Sequence, residues 1–273
     1  MSYVGRMSLL LGRRTSRLGL VMLKLRNPAA LLLDYVGLQK QAYVVRGRDG
    51  LSFELRPGRG DKGAFSQVIL GRAYLKPGVR INEGDTVIDV GANIGCFSVQ
   101  AGSMVGPSGR VISIEPAEST YKQLVANVAH NRMTHIKPVR AAIGGEAGMV
   151  RLYVGDQNSQ NASVLDEVDG REMSRAVGVE DVAQTTLADL MRDHGIDRCN
   201  VVKMDCEGAE HDVFQRISQQ TADRIDQIVM EVHSIKNCQG RRHATESIAT
   251  RLRALGFETR PTEDGLYAWR RPK

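Results

Sequence analysis

The seven residues DVGANIG, at positions 89–95, constrain this chain most, because they join a strand-like run to a helix-like run through a turn with two glycines. Gly91 and Gly95 lack a Cβ atom, so the backbone there can adopt positive φ angles and let a ligand lie against it. The free N–H groups at the start of the following helix point toward such a ligand. We therefore predict a ligand-binding loop within an α/β sheet.

The loop has the form D-x-G-x-x-x-G, which differs from the glycine fingerprint of dinucleotide-binding dehydrogenases. That fingerprint would place glycines at positions 91, 93 and 96, and the chain has Asn93 and Cys96 at the last two. Asp89 suits a zwitterionic or cationic ligand better than a pyrophosphate. We predict that Asp89, Gly91, Asn93 and Gly95 bind this ligand, with a purely structural turn as the alternative.

An acidic residue ends the next predicted strand. The apolar run RVISI, at positions 110–114, leads into Glu115, which lies twenty-four residues after Gly91. In a doubly wound sheet the second strand lies beside the first, and a carboxylate at its end can accept hydrogen bonds from both hydroxyls of a ribose. Glu115 is therefore predicted to bind ribose, the alternative being a solvated acid at a strand end.

Ionisable residues also cluster where two later strands end. The segment CNVVKMDCEGAE, at positions 199–210, places Asp205 directly after a buried run, and the strand QIVMEV, at positions 227–232, carries Glu231 and ends at His233. The carboxyl ends of strands in an open α/β sheet face the ligand crevice. We predict that these three side chains line the reacting side of the site, and that Asp205 also contacts the cofactor.

Taken together, DVGANIG, SIEP, KMDCEGAEHDVF and IVMEVH resemble the FkbM family of S-adenosylmethionine-dependent methyltransferases, whose signature is K-x-D-x-E-G-A-E at the fourth strand. The resemblance covers roughly residues 46–269, and Cys206 stands where an aliphatic residue is commoner. It implies a class I methyltransferase fold: a Rossmann-like, mostly parallel sheet with a reversed last strand. It also implies S-adenosylmethionine as cofactor and methyl transfer to an acceptor hydroxyl on a sugar, glycolipid or polyketide.

Methyl transfer from a sulfonium needs mainly an aligned acceptor oxygen and removal of its proton. His233 is predicted as the general base, since imidazole titrates near neutral pH. Lys203 is predicted to pair with a carboxylate, Glu207 or Glu231. An imidazole among the candidate ligands argues against Mg²⁺, which prefers oxygen. No metal site is therefore predicted, with a softer ion as the alternative.

The positive charge lies at one end of the chain. Residues 1–80 hold 15 Lys and Arg against 4 Asp and Glu, whereas residues 81–273 hold 22 against 27. Six basic residues and no acid lie in residues 1–33, with Leu18, Val21, Met22 and Leu25 at helical spacing on one face. The basic charge and the apolar helical face of this arm predict peripheral contact with anionic membranes. The alternatives are a helix that packs on the catalytic domain, a loose arm and a mitochondrial presequence.

The chain divides into three predicted parts: residues 1–40 as the basic helical arm, 41–80 as a lead-in hairpin and helix, and 81–273 as the methyltransferase domain. Strands alternate with helices from Thr86 onward, the polar stretch 155–170 predicts a long loop that serves as a lid or binding loop, and a hairpin closes the chain.

The four cysteines show neither zinc-knuckle nor disulfide spacing, which predicts a reducing, cytoplasmic location.

Two other functional classes remain open for this sequence. A nucleic-acid methyltransferase would explain the basic arm, but no Asn-Pro-Pro-aromatic segment follows the fourth strand, and five Phe and one Trp supply little base stacking. A module that binds S-adenosylmethionine without catalysis is the second. We favour a small-molecule or glycolipid acceptor over nucleic acid. The sequence carries no signal of the oligomeric state.

Overall fold

Buried strands alternate with helices along the chain, and the structure, a computed structural model, describes residues 19–75, 78–155, 162–165, 167–168, 171–172, 178–235, 241–262 and 265–270. The strands in these residues are β1 (Tyr43–Arg46), β2 (Ser52–Leu55), β3 (Thr86–Val90), β4 (Arg110–Ile114), β5 (Ile136–Val139), β6 (Ala142–Ile143), β7 (Gly148–Val154), β8 (Ala162–Ser163), β9 (Glu167–Val168), β10 (Arg171–Glu172), β11 (Gly178–Thr185), β12 (Cys199–Met204), β13 (Ile225–Glu231), β14 (Glu258–Pro261) and β15 (Gly265–Trp269). The helices are α1 (Pro28–Tyr35), α2 (Asp61–Phe65), α3 (Cys96–Val105), α4 (Glu118–His130), α5 (Leu187–Asp193), α6 (Glu210–Arg216), α7 (Gln219–Ala222) and α8 (Arg241–Ala254), with a π-helical segment (Ser66–Leu70) directly after α2.

Seven strands form the central sheet, in the order β14-β15-β13-β12-β3-β4-β5. The pairs β13-β12, β12-β3, β3-β4 and β4-β5 are parallel, whereas β15 runs antiparallel to both of its neighbours. Strands β3 and β4 are buried along nearly their whole length, as expected where helices cover both faces of a parallel sheet. The predicted mostly parallel sheet with a reversed last strand is confirmed.

The order of the strands creates a crevice at the carboxyl edge of the sheet. From β3 the chain proceeds outward through β4 and β5, then returns to place β12 on the other side of β3. Ligands of open α/β sheets bind where the strand order reverses in this way. The carboxyl ends of β3 and β12 therefore form the centre of the candidate site.

One hydrophobic cluster covers each face of the sheet. On one face, α3 and α4 pack on the sheet together with the lead-in, whose Val45 and Phe53 share this cluster with Val87 of β3 and Val99 of α3. On the other face, α5, α6 and α8 cover the sheet. The lead-in hairpin, predicted across residues 42–55, thus contributes directly to the core under the glycine loop.

A second sheet, in the order β6-β11-β7-β8, lies next to the crevice. Its strand β11 was not predicted, because half of the sequence GVEDVAQT is polar and Val182 is its one buried residue. The strand predicted over 137–143 is divided into β5 and β6, which belong to different sheets. The loop predicted over 155–170 contributes β8 and β9, and the rest of it lies partly outside the described residues.

The first described residues of the predicted arm form a short helical stretch that packs on the body. Val21 and Leu25 are fully buried, as the packing alternative requires, whereas Met22, predicted on the same apolar face, is 53% exposed. Lys24 donates from Nζ to two carbonyl oxygens of the π-helical segment, each at 3.1 Å. Residues 1–18 lie outside the described residues, so membrane contact stays a prediction. Every helix within the described part is too short or too polar to span a bilayer.

Candidate functional site

The loop after β3 turns sharply because three of its residues have left-handed φ angles: 67° at Gly91, 51° at Asn93 and 84° at Gly95. A Cβ atom on Gly91 would lie 1.7 Å from the carbonyl oxygen of Asp205, and one on Gly95 would lie 2.6 Å from Cδ1 of Leu124. Gly91 is therefore needed for close packing against the backbone that follows β12, whereas Gly95 is needed for its left-handed φ beside α4. The sequence predicted them for a different reason, close approach of a ligand.

A buried ion pair lies beneath this loop. Asp89 accepts a hydrogen bond at Oδ2 from Oγ of Ser98 at 2.6 Å, and its Oδ1 lies 3.1 Å from Nζ of Lys203. The same Nζ donates to the carbonyl oxygens of Val90 at 3.0 Å and Gly91 at 2.6 Å. Two of the three donors of this ammonium group therefore hold the start of the loop, and its charge faces the Asp89 carboxylate as an ion pair.

Strand register explains this pair, since Lys203 of β12 lies directly opposite Asp89 of β3. Burial alone lowers the pKa of Lys203, but the charges of Asp89 and Asp205 outweigh it and hold that pKa above its ordinary value. Lys203 does pair with a carboxylate, as predicted, but the carboxylate is that of Asp89, which was not one of the two named partners. Asp89 is fully buried beneath the loop, and its contact with the ligand stays a prediction.

Glu115 is held at the end of β4 with its carboxylate pointing along the loop. Its Oε2 accepts from the backbone N–H of Asn93 at 2.9 Å, and its Oε1 accepts from that of Ala117 at 3.0 Å. A carboxylate has about four lone-pair positions, so about two remain, the number that a ribose diol needs. Burial raises the pKa of Glu115 to about 7.

Two cavities open at the carboxyl edge of the sheet. The first contains the loop and Glu115, and its wall is apolar: Ile114, Ala141, Ile143, Leu152, Ala162 and Val164. Two of these wall residues come from the segment predicted as a lid or binding loop, and Oγ of Ser163 ties that segment to the carbonyl oxygen of Glu207 at 2.9 Å. The first cavity therefore combines an apolar wall with a polar floor.

The second cavity extends toward the end of β13 and has a polar lining. Its polar lining includes Tyr74, Lys203, Asp205, Glu207, Glu231 and His233. The structure thus brings together the three residues predicted as catalytic: one ligand atom from each of Asp205, Glu231 and His233 lies within 4.8 Å of the other two. Their roles in catalysis stay predictions.

His233 is fixed by a residue whose role the sequence did not reveal. Glu210, fully buried at the start of α6, accepts at Oε1 from the His233 backbone N–H at 2.7 Å and lies 3.0 Å from its Nδ1. Burial alone lowers the pKa of His233, but Glu210, Asp205 and Glu207 outweigh it and raise the pKa to about 10. His233 was predicted as the general base because an imidazole ordinarily titrates near neutral pH. Its raised pKa contradicts that reason.

Two further residues of the second cavity were not predicted as site residues. Tyr74, from the lead-in, donates to Oδ2 of Asp205 at 2.5 Å, and Nζ of Lys203 lies 4.9 Å from its ring centroid. Glu207 adopts a left-handed φ of 52°, which is unusual for a residue with a side chain. Tyr74 lies 131 residues from Asp205 in sequence, so no local pattern could have indicated the contact.

The strand order, the glycine loop and the acid after the second strand define a class I S-adenosylmethionine-dependent methyltransferase. The model of the methyltransferase FkbM domain matches residues 89–259, and the chain belongs to the FkbM family. The 31-O-demethyl-FK506 methyltransferase FkbM of Streptomyces tacrolimicus is 28% identical over 75% of this chain and 84% of its own length. The methyltransferase sdnD of Sordaria araneosa is 26% identical over 53% of this chain and 65% of its own length. A solved structure, the methyltransferase FkbM of Methylobacillus flagellatus, aligns with a TM-score of 0.48 and 14% identity over 89% of this chain and 59% of that one.

Replacing Gly91 with alanine is expected to destabilise the protein by about 2–5 kcal/mol, because the new Cβ atom meets the Asp205 carbonyl in a left-handed conformation. Gly148→Ala is the matched control, since the space around Gly148 is open, and we expect a change within about 0.5 kcal/mol. Urea unfolding of both variants measures the difference. Equal stability of the two variants would contradict the close approach of the loop to β12.

Lys203→Met is expected to cost about 3–5 kcal/mol of unfolding free energy, because it leaves the fully buried Asp89 carboxylate without its cation. Lys122→Met removes an exposed lysine paired with Glu118 and should leave the unfolding midpoint unchanged. Urea midpoints of the two variants give the comparison. If Lys203→Met unfolds at the same urea concentration as Lys122→Met, the buried pair does not support the loop.

Proposed function

We propose that this methyltransferase transfers the methyl group to a hydroxyl oxygen of a small molecule, on a sugar, glycolipid or polyketide-like acceptor. One observation carries the proposal: the two cavities share four lining residues, Gly91, Asn93, Asp205 and Glu207. A cofactor in the first cavity would therefore present its reactive end to an acceptor in the second. The sulfonium methyl group would lie at this shared boundary.

The first cavity fits the nucleoside of S-adenosylmethionine. The ribose hydroxyls would donate to the free lone pairs of Glu115, and the apolar wall opposite would cover the flat face of the adenine. The amino acid end would then extend past the loop toward Asp205, which lines both cavities. In this arrangement Gly91 and Asn93 form the floor, Gly95 keeps the turn close to Leu124, and Asp89 acts from below through Lys203.

The second cavity favours a hydroxyl acceptor over an amine. Its carboxylates, on Asp205, Glu207 and Glu231, would keep an amine protonated, and an ammonium group has no lone pair to attack the methyl carbon. A hydroxyl keeps its lone pairs, and its acidic proton needs an acceptor such as these oxygens. The relative from Streptomyces tacrolimicus is named for methylation at an oxygen, which supports the same proposal.

Transfer would proceed as a single displacement. The acceptor oxygen forms a bond to the methyl carbon as the carbon–sulfur bond breaks, the sulfur takes the bonding pair, and the hydroxyl proton passes to a carboxylate of the second cavity. Positioning of the two reactants supplies most of the rate enhancement in such a reaction. The Tyr74–Asp205 hydrogen bond and the Glu210–His233 pair would position the polar wall during the transfer.

Incubation with methyl-labelled S-adenosylmethionine and separate glycan, lipid, polyketide and nucleic-acid pools tests the acceptor. We expect label in a small-molecule or glycolipid fraction, as a methyl ether, and less label with the variant Asp205→Asn. Label in nucleic acid would overturn the proposed acceptor class. Cofactor binding without label in any pool would indicate a binding module.

Glu115→Gln is expected to weaken S-adenosylmethionine binding by about 1–3 kcal/mol, because an amide cannot accept two backbone N–H bonds and two ribose hydroxyls together. Glu246→Gln, which changes an exposed carboxylate paired with Arg253, is the matched control and should bind normally. Titration calorimetry gives both affinities. Normal binding by Glu115→Gln would remove the ribose role of this residue.

Cofactor affinity should also depend on pH through Glu115, whose pKa is raised to about 7 by burial. Above this pKa the side chain is a carboxylate that accepts the ribose hydroxyls, and below it one oxygen carries a proton and loses acceptor capacity. We therefore expect weaker binding as the pH falls from 8 to 6, and a flatter profile for Glu115→Gln. The same pH dependence in wild type and variant would assign the effect to another group.

A further inference from the structure

We propose that Asp205, Glu231 and His233 form a binding site for a divalent transition-metal ion in the second cavity. The site stands on its own geometry, and only the ion's role as holder of the acceptor oxygen rests on the proposed function. This proposal replaces the metal-free interpretation reached from the sequence.

The imidazole of His233 is oriented as a metal ligand. Its Nδ1 faces Glu210, whose Oε1 lies 3.0 Å away and whose Oε2 accepts from the Gly208 N–H at 2.9 Å. A carboxylate hydrogen-bonded to one ring nitrogen of a histidine fixes the ring and directs the other nitrogen at a metal. The His233 side chain is 5% exposed, so its Nε2 points into the protein cavity and away from bulk solvent.

Nε2 of His233 points into a group of three carboxylates. It lies 3.7 Å from Oε2 of Glu207, 3.8 Å from Oδ1 of Asp205 and 3.9 Å from Oε1 of Glu231. These distances exceed the length of a nitrogen–oxygen hydrogen bond. A proton on Nε2 is therefore too small to bridge to any of the three oxygens, whereas a larger cation in the space between them would contact all of them.

The spacing of the ligand atoms suits an ion. One ligand atom from each of Asp205, Glu231 and His233 lies within 4.8 Å of the others, and metal–ligand bonds of about 2.1 Å require neighbouring ligand atoms about 3 Å apart. Small rotations of the two carboxylates, which are 26% and 20% exposed, would close that difference. The backbone positions at the ends of β12 and β13 would not have to change.

The local charge also favours a cation. Four carboxylates, on Asp205, Glu207, Glu210 and Glu231, surround the single imidazole of His233, and Lys203, which lines the same cavity, is already paired with Asp89. The sulfonium of the cofactor adds one positive charge, and its amino acid end adds none overall. A divalent ion would offset the remaining negative charge.

The donor set indicates the class of ion. Imidazole with carboxylates suits Mn²⁺, Co²⁺ or Zn²⁺ better than Mg²⁺, which prefers oxygen donors throughout. Three protein ligands leave positions open for a substrate oxygen. An ion at this site would thus coordinate the acceptor hydroxyl beside the sulfonium and lower its pKa.

Manganese binding to the full-length, chelator-treated protein tests the site without an activity assay. We expect one Mn²⁺ per chain by electron paramagnetic resonance titration, with a spin-echo modulation from the imidazole nitrogen of His233. Glu231→Gln and Asp205→Asn should each weaken Mn²⁺ binding at least tenfold. Glu180→Gln, which changes a similarly exposed carboxylate paired with Arg140, is the matched control and should bind as the wild type does.

Three outcomes would overturn the proposal: no Mn²⁺ bound by the wild type at 100 times the protein concentration, bound Mn²⁺ without nitrogen coupling, or unchanged affinity in Glu231→Gln. Circular dichroism of each variant confirms that it is folded. Calorimetry with S-adenosylmethionine on the same chelator-treated protein separates this test from the proposed function. Cofactor binding with no Mn²⁺ site would reject the ion alone and leave methyl transfer standing.

Discussion

The buried pair between Lys203 and Asp89 supports most of what the site requires. It links β12 to β3 at the point where the strand order reverses, and the same ammonium group holds the carbonyl oxygens of Val90 and Gly91. Desolvating two charges is costly, so such a pair contributes less to stability than to a defined arrangement. Here the pair fixes the course of the glycine loop, which lies in close contact with the backbone of Asp205.

Glu115 and Glu210 hold the two halves of the crevice in a similar way. Each is a buried carboxylate that accepts backbone N–H groups, and each presents a defined face to its cavity: Glu115 toward the nucleoside side and Glu210 through the imidazole of His233. Buried polar groups that are fully hydrogen-bonded make a rigid local structure. The shape of the crevice therefore depends on acidic side chains that accept hydrogen bonds from the backbone, such as Glu115 and Glu210, as well as on acidic side chains that face a ligand.

The sequence predicted the sheet well because its strands are buried on both faces and read as short apolar runs, such as TVIDV and RVISI. The sequence did not predict β11, because most residues of this strand are partly or fully exposed and it therefore lacks an apolar run. It also predicted that Asp205, Glu231 and His233 would meet, because strand ends share one edge. Their protonation could not be predicted in the same way, since the pKa of His233 depends on Glu210 and on a carboxylate cluster that forms only in the fold. Tyr74 was unpredictable because its contact with Asp205 joins distant segments.

A crystal structure of the protein with bound S-adenosylhomocysteine tests the central claim, that one crevice holds the cofactor on the Glu115 side and the acceptor on the His233 side. The account predicts both ribose hydroxyls on the Glu115 carboxylate. It also predicts that the sulfur lies where the two cavities meet, beside Gly91 and Asp205, and faces the cavity of Glu231 and His233. A nucleoside bound away from Glu115, or a sulfur that faces away from the second cavity, would contradict it.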